Sequence, residues 1–296
     1  MVPLLLVDGH NLLYRAAFAT AAEVYSRDVS RRDLTTQFMF FALLRKAVTA
    51  NLDSWPEIIV VFDGEYGSAS RQALDTDYKA TRDTSDSARR PLEALADIIA
   101  GLELYEVPWI EQDDAEGDDI IASLTAARGA QDVIILSTDR DFCQLLAPSD
   151  PPRGAVRILN TARRADRRLI DSSDVLDRYG VLPDRYADLR ALAGDPSDNI
   201  PGVAGVGIIT AQRLLADGLG LEGLLASGRL TGMRGEAIRA CWTQVLTWRS
   251  MIRLRTDMVL PRVPTGQPGA PLPRAADIIE KLGLWDRPRR AERAGR

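Results

Sequence analysis

Three short apolar runs in this chain each lead into an aspartate, and no other feature restricts the possible folds as strongly. The runs and their aspartates are Leu4–Val7 with Asp8, Ile58–Phe62 with Asp63, and Val133–Thr138 with Asp139. Short, unbroken runs rich in β-branched residues are typical of buried parallel strands. In an open α/β sheet, ligands bind beyond the carboxyl ends of the strands. The sequence therefore predicts that these aspartates meet at one edge of a mainly parallel sheet.

Further acids stand where they can join this group. They are Asp141, then Glu116, Asp118 and Asp119 in the acid-rich stretch 113–119, and Asp195 and Asp198 in the stretch 194–207. Crowded carboxylates repel one another unless protons or cations neutralise them, and Mg²⁺ prefers oxygen ligands of this kind. Each motif alone has a structural alternative, because aspartates also cap turns and helices and suit the first turn of a helix. Five acids in the seven residues 113–119 exceed what a helix start requires.

Composition excludes several classes of protein. The chain has 296 residues with 46% apolar content, which is enough for one large domain or two modest ones, and no apolar run reaches membrane-spanning length. The first apolar run follows Met1 without a basic segment, so we expect no signal peptide and a cytoplasmic protein. A net charge of −5 argues against a simple nucleic-acid coating protein. His10 is the only histidine, so catalysis by a serine or cysteine with a histidine base is not indicated.

The pattern along the chain predicts three segments. Residues 1–170 alternate strand and helix, with the first helix predicted over roughly residues 11–21 and a strand near residues 105–110, and they end in a hairpin over 155–170. This alternation indicates an α/β domain with a central sheet flanked by helices. Within it, residues 66–90 are polar, rich in arginine and poor in large aliphatic residues, so we expect a mobile arch that buries little. Residues 171–260 are predicted to be helical, and residues 261–296 form a Pro/Gly-rich segment and an Arg-rich tail.

The helical segment contains a glycine-rich turn before a helix. Gly202, Gly205 and Gly207 precede Thr210, near the start of the predicted helix. Backbone amides of such a turn, together with the helix N-terminus, suit a phosphate. A tight turn between two helices is the structural alternative for the same residues.

The order of these motifs resembles the 5′ nuclease family, which comprises flap endonucleases and 5′–3′ exonucleases. The resemblance covers roughly residues 4–260. It rests on six stretches, namely residues 7–12, 62–64, 78–82, 116–119, 138–141 and 194–202. It implies a helical arch over the site and a helix–hairpin–helix turn at 202–211 that binds duplex DNA.

The resemblance also implies roles for individual residues. Nine acids would form the metal shell: Asp8, Asp63, Glu116, Asp118, Asp119, Asp139, Asp141, Asp195 and Asp198. In the arch, Lys79 and Arg82 would neutralise charge on the reacting phosphate, while Arg71 and Tyr78 would face DNA phosphates. The implied cofactor is Mg²⁺, with Mn²⁺ as a substitute and K⁺ at the hairpin. The implied partner of the monomeric enzyme is DNA with a 5′ single-stranded end or flap, RNA-primed strands included.

Two departures and two alternatives accompany the resemblance. Ile208 and Ile209 stand where the family usually has a charged pair, and the chain ends without a polymerase or proofreading domain, which favours a free-standing member. A PIN-type ribonuclease would share the strand-end acids, but it normally lacks the arch and the glycine hairpin. A non-catalytic flap-binding protein would have lost acids that are present here.

Overall fold

The sheet is the frame that positions every strand-end acid. The computed structural model describes residues 1–19, 23–81 and 85–286. In these residues six strands form one sheet in the order β3-β2-β1-β4-β5-β6, with only the β5–β6 pair antiparallel. The strands are β1 Leu4–Asp8, β2 Glu57–Val61, β3 Trp109–Ile110, β4 Val133–Leu136, β5 Val156–Leu159 and β6 Leu169–Ile170. The predicted mainly parallel sheet and its terminal hairpin are confirmed, although β3 has two residues where residues 105–110 were expected.

The centre of the sheet explains why the apolar runs are unbroken. Strand β1 pairs with β2 on one side and with β4 on the other, so the strand order reverses beside β1. Helices or loops cover both faces there, and every residue of β2 and β4 is buried. In open α/β folds this reversal point is where a crevice forms at the carboxyl ends of the strands.

Helices cover both faces of the sheet. They are α1 Gly9–Ala17, α2 Thr35–Asn51, α3 Ala69–Leu74, α4 Asp86–Arg89, α5 Leu95–Leu104, α6 Gly117–Ala126, α7 Ser172–Tyr179, α8 Tyr186–Ala193, α9 Ile208–Leu214, α10 Leu221–Ala226, α11 Gly232–Ala240, α12 Trp242–Ile252 and α13 Ala275–Lys281. The first helix starts two residues before the predicted position because the Asp8 carboxylate accepts the Asn11 N–H at 3.0 Å and caps it.

Two apolar cores hold the layers together. One core packs a face of the sheet against α1, α2, α5 and α13. The other joins the opposite face to α6 and to the helices between α8 and α12, so the C-terminal helices share their core with the sheet. Helix α13 was missed within the predicted Pro/Gly segment 261–296, although Ile278 and Ile279 are fully buried. No helix within the described residues has the length and apolar character needed to cross a bilayer.

The arch differs from its prediction. Residues 66–90 contain α3 and α4, and the expectation that the segment buries little is wrong for Arg71 and Tyr78, which are only 5% and 2% exposed. Tyr78 belongs to the core beneath α6. Arg82 and the Arg-rich tail from residue 287 onward lie outside the described residues.

Candidate metal centre and strand cleft

Strands β1 and β4 bring Asp8 and Asp139 together through one hydroxyl group. The Ser137 hydroxyl donates to Asp8 Oδ2 at 2.7 Å and accepts the Asp139 N–H at 3.0 Å. Asp139 Oδ1 in turn accepts the Asp141 N–H at 2.9 Å. The donors to Asp8 and Asp139 are therefore neutral groups, and they orient the carboxylates without neutralising their charge.

A close backbone crossing brings Asp63 next to the start of α6. A Cβ atom on Gly64 would lie 1.8 Å from the Gln112 carbonyl oxygen, so only glycine allows the two loops to pass. The Gly117 N–H then donates to Asp63 Oδ1 at 2.7 Å. Asp118 follows directly, so this crossing delivers two more carboxylates to the edge already occupied by Asp8.

Electrostatics shows that these acids interact. The pKa of Asp8 is raised from 3.8 to about 7, chiefly by burial and also by the nearby charges of Asp63 and Asp139, which together outweigh the lowering effect of its hydrogen bonds. Burial, followed by the charges of Asp8, Asp139 and Asp63, raises the pKa of Asp118 well above its ordinary value. Protons are held on a carboxyl group in this way when several negative charges share a site.

A second group of acids overlaps the first at Asp139. Burial raises the pKa of Asp141 well above its ordinary value, and the charges of Asp139, Asp195 and Asp198 add to the effect. The centre therefore consists of two groups of mutually repelling acids that share Asp139. Within the described residues, no three acid, histidine or cysteine side chains lie close enough together to hold an ion without rearrangement. The chemistry of these acids fits hard divalent cations.

Three of the predicted metal ligands, Asp119, Glu116 and Asp195, pair with cationic side chains of the protein. Asp119 is fully buried, and its two oxygens accept from Arg71 and Arg255 at 2.8 to 3.0 Å, so a direct metal contact is incompatible with this geometry. These partners outweigh burial and hold the pKa of Asp119 below its ordinary value. Glu116 accepts from Lys79 at 2.8 Å through Oε1 and from Arg71 at 2.8 Å through Oε2.

The turn after α8 also differs from its prediction. Asp195 and Asp198 are both predicted metal ligands, but Asp195 precedes the short 3₁₀ turn Pro196–Asp198 and caps it. Its Oδ2 atom accepts from Arg190 at 2.8 Å, which neutralises the charge of this predicted ligand. Asp198 is buried, and its charge acts on Asp141.

The arch residues lie deeper than the resemblance implied. All the N–H groups of the Arg71 guanidinium face acceptors: Glu116, Asp119 and the carbonyl oxygens of residues 251 and 253. The Tyr78 hydroxyl lies 3.3 Å from Glu116 Oε2. Arg71 and Tyr78 are therefore not available for the predicted phosphate contacts, because burial and existing partners occupy their polar groups.

Lys79 stands at the boundary between the acids and an open cleft. Its backbone has a φ of 55°, a left-handed conformation that is energetically unfavourable for residues other than glycine. Residues held in such conformations cluster at functional sites. The cleft measures about 820 Å³, within the range of roughly 300–1,000 Å³ for ligand pockets. Its walls include Asp8, His10, Asn11, Tyr14, Phe18, Asp63, Lys79, Ser87, Ala88, Leu92, Asp118 and Asp139. We call it the strand cleft.

The glycine hairpin, residues 202–207, is exposed in part. Gly202 and Gly205 have φ values of 69° and 75°, and Gly207 precedes helix α9, which starts at Ile208, two residues before the predicted Thr210. Val203 and Val206 are buried beneath the turn, whereas Gly205 and Gly207 are exposed at the surface. The first N–H groups of α9 have no partner within the helix.

Sequence reasoning missed several residues that shape the centre. His10 Nδ1 accepts the Asp63 N–H at 3.0 Å, and the imidazole ring borders the strand cleft. Asn11 donates to the Thr138 hydroxyl at 2.7 Å and joins the first turn of α1 to the loop after β4. Their position directly after Asp8 was a usable signal. Arg255 carried no signal, because its partner Asp119 lies 136 residues away.

Comparison with known proteins is consistent with this architecture. Residues 3–180 match the N-terminal resolvase-like domain of the 5′–3′ exonucleases, and residues 181–267 match their C-terminal SAM fold. DNA polymerase I of Thermus filiformis is 36% identical over 264 residues, covering 86% of this chain and 29% of the polymerase. DNA polymerase I of Mycobacterium tuberculosis is 30% identical over 276 residues, covering 88% of this chain and 28% of the polymerase. The chain thus spans less than a third of the length of these two relatives.

Solved structures show the same fold at low identity. The bacteriophage T5 flap endonuclease, crystallised with DNA and metal ions, has a TM-score of 0.65 and 19% identity, and 96% of each chain is covered. Human GEN1, in complex with Holliday junction DNA, has a TM-score of 0.57 and 16% identity, covering 96% of this chain and 69% of that one. The two family matches together extend over most of the sequence, and this chain belongs to the 5′–3′ exonuclease family, a family of metal-dependent nucleases.

Proposed function

We propose that this chain is a phosphodiesterase that uses divalent cations to cleave DNA at 5′ single-stranded ends and flaps. The observation that carries the proposal is the pair of overlapping carboxylate groups that share Asp139, with the raised pKa values of Asp8, Asp118 and Asp141. Such mutual repulsion lowers stability unless cations offset it. Sites of this kind are typical of function rather than of structural ion pairing.

The residues that would hold cations are the acids of the centre that, within the described residues, form no ion pair with lysine or arginine. Asp8, Asp63, Asp118, Asp139 and Asp141 offer oxygen atoms suited to Mg²⁺, with Mn²⁺ as a substitute. A pair of such ions supplies positive charge on the attacking and leaving sides of an in-line displacement and promotes ionisation of the attacking water. The protein orients the carboxylates through Ser137, Gly117 and Asn11, and it needs no histidine base.

The strand cleft is the proposed path of the 5′ single strand. Tyr14 and Phe18 line it, and aromatic rings of this kind stack on successive bases without regard to sequence. Lys79 would leave Glu116 and contact the reacting phosphate, where its positive charge offsets the charge that develops. The same role for Arg82 stays a prediction. A strand joined to an RNA primer would meet the same groups.

The duplex part of the substrate would bind at the glycine hairpin. Exposed amides near Gly205 and Gly207, with Thr210 on the following helix, suit phosphate oxygens, and a K⁺ ion at the turn would add charge. The division into a catalytic part over 1–170 and a duplex-binding helical part over 171–260 belongs to this proposal. So do a monomeric state and a cytoplasmic location.

Cleavage of a 3′-labelled 5′-flap duplex tests the proposal. With Mg²⁺ we expect products bearing a 5′-phosphate, with none in EDTA, and Asp139→Asn should lower the single-turnover rate by at least about 100-fold. Asp277→Asn is the matched control, because its half-exposed carboxylate lies on α13 and pairs with Arg274 at the start of that helix. Normal cleavage by Asp139→Asn would refute the metal centre. Tight flap binding by the wild type without any cleavage would favour the non-catalytic alternative.

A further inference from the structure

A buried cluster beside the metal centre joins three segments that are distant in the chain. Arg71 comes from α3 at the base of the arch, and Glu116 and Asp119 flank the start of α6. The third segment, residues 251–255 at the end of α12 and beyond it, is called the C-terminal clamp here. Arg71 donates through Nε to the Met251 carbonyl at 2.7 Å and through Nη2 to the Arg253 carbonyl at 3.2 Å.

Asp119 has no oxygen left for another ligand. It accepts from Arg71 Nη1 and Nη2 at 2.8 Å each, and from the Arg255 N–H and Nε at 2.9 and 3.0 Å. A carboxylate offers about four acceptor sites, so these four bonds saturate it. With its side chain fully buried, Asp119 also lacks access to solvent ions. It is therefore built as the counterion of two arginines.

Arg71 transmits this arrangement to Glu116. Its Nη1 atom donates to Glu116 Oε2 at 2.8 Å and to Asp119 Oδ2 at 2.8 Å, so one nitrogen bridges the two acids. The other Glu116 oxygen accepts from Lys79 at 2.8 Å, and Lys79 is an arch residue that borders the strand cleft. The orientation of Glu116, and through it the resting position of Lys79, depends on where Asp119 and the clamp hold Arg71.

We propose that Asp119 and Arg71 are positioning residues for the cleavage reaction, with Asp119 holding Arg71 and Arg71 orienting Glu116 against Lys79. The clamp is part of the same device, because Arg255 completes the shell of Asp119 and two clamp carbonyls anchor the guanidinium. The inference rests on the proposed nuclease function. It assigns to one conspicuous acid of the motif a role that requires no contact with metal or substrate.

A double-mutant cycle tests the inference. We would measure single-turnover flap cleavage at saturating enzyme, and Mn²⁺ affinity without DNA, for Asp119→Asn, Arg71→Lys and the double variant. Lysine keeps the charge at position 71 but loses the fork that reaches both acids. Each single change should lower the rate by roughly 10–100-fold, the scale seen when residues that orient metal ligands are lost. If the pair acts as a unit, the double variant should be no more than about threefold slower than the slower single variant.

Matched controls separate positioning from folding. Glu57 is also a buried acid whose carboxylate accepts several hydrogen bonds, from Thr265, Gly266 and Gln131, but it lies at the start of β2, at the opposite end of that strand from Asp63. Glu57→Gln should lower the melting temperature while leaving the cleavage rate and Mn²⁺ affinity of the folded protein within about twofold of the wild type, a change too small to count as loss of a functional group. All rates would be compared at a temperature where circular dichroism shows every variant folded.

Two results would overturn the inference. If the losses of the single variants multiply in the double variant, Asp119 acts independently of Arg71, as a metal ligand would. If Asp119→Asn changes only the melting temperature, as expected for Glu57→Gln, the cluster is merely structural. Both outcomes leave the proposed function standing as long as Asp139→Asn is inactive, whereas an active Asp139→Asn would refute the proposed function itself.

Discussion

The raised pKa of Asp8 makes the stability of the metal-free protein fall with increasing pH. In the unfolded chain this carboxyl has a pKa of 3.8, whereas in the folded protein it is raised to about 7 by burial and by neighbouring acids. Between these values the folded state binds more protons than the unfolded state, so the free energy of unfolding decreases as pH rises. The penalty is absent below about pH 4 and complete above about pH 7. Asp8→Asn should remove it.

The size of the effect follows from the two pKa values. The difference between 3.8 and about 7, at 1.36 kcal/mol per pH unit, corresponds to about 4 kcal/mol at pH 8. Asparagine keeps an acceptor for the Asn11 N–H but weakens the bond to the Ser137 hydroxyl, which costs roughly 1–2 kcal/mol. A net gain of about 2–3 kcal/mol remains for the variant. It should raise the melting temperature by roughly 3–5 °C at pH 8.

Thermal and urea unfolding in EDTA between pH 4 and 8 would measure this difference. The variant should be less stable than the wild type by roughly 1–2 kcal/mol near pH 4 and more stable at pH 8, so the two stability curves should cross between these values. Added Mg²⁺ should stabilise the wild type at pH 8 more than the variant. Asp119→Asn is a control of opposite sign, because the pKa of Asp119 is lowered and its stabilising contribution is present above the unfolded pKa. If Asp8→Asn destabilises the metal-free protein at pH 8, the account of repulsion among these acids is wrong.

Two further predictions concern the arch and the hairpin. Lys79→Ala should lower the rate of single-turnover cleavage at saturating enzyme by roughly 10–1000-fold with little change in flap affinity measured in Ca²⁺, and Lys79→Arg should recover only part of the rate. Lys46→Ala, at an exposed lysine, is the control. Normal cleavage by Lys79→Ala would assign Lys79 to the surface of the arch. Gly205→Pro should weaken duplex binding more than cleavage of short single strands, because proline cannot adopt the φ of 75° and lacks an N–H. Gly129→Pro controls for general strain, because Gly129 also has a positive φ, 59°, but precedes β4 at the end of that strand opposite Asp139. If Gly205→Pro causes equal losses on both substrates, the hairpin is merely structural.

The sheet and the strand-end acids were predictable because local pattern determines them. Apolar runs such as Ile58–Phe62 are continuous since both faces of β2 are covered, and the carboxyl ends of parallel strands share an edge. Asp8 and Asp63 follow directly from that rule. The start of α1 at Gly9 was two residues off, because the capping bond of Asp8 ends the strand and begins the helix without an intervening loop.

The partners of the acids were not predictable from the same pattern. Asp118 and Asp119 are adjacent in sequence, yet one faces other acids and the other faces two arginines. Helix geometry points consecutive side chains in different directions, but the sequence does not say what lies there. Arg71 and Arg255 reach Asp119 from segments 48 and 136 residues away, and only tertiary packing brings them together. Burial of Arg71 in an otherwise polar arch follows from the same long-range pairing.

The charge of the partner of each acid indicates the function more strongly than the number of acids does. Within the described residues, Asp8, Asp63 and Asp139 accept hydrogen bonds from neutral N–H and O–H donors, with only His10 near Asp63 as a group that could carry charge. Glu116 and Asp119, in contrast, are saturated by lysine and arginine. A fold that needed only stability would pair every buried acid, since an unpaired charge is costly to bury. Here arginines lie beside some acids and neutral donors lie beside others. This arrangement is expected where bound cations neutralise the acids that the protein itself leaves unpaired.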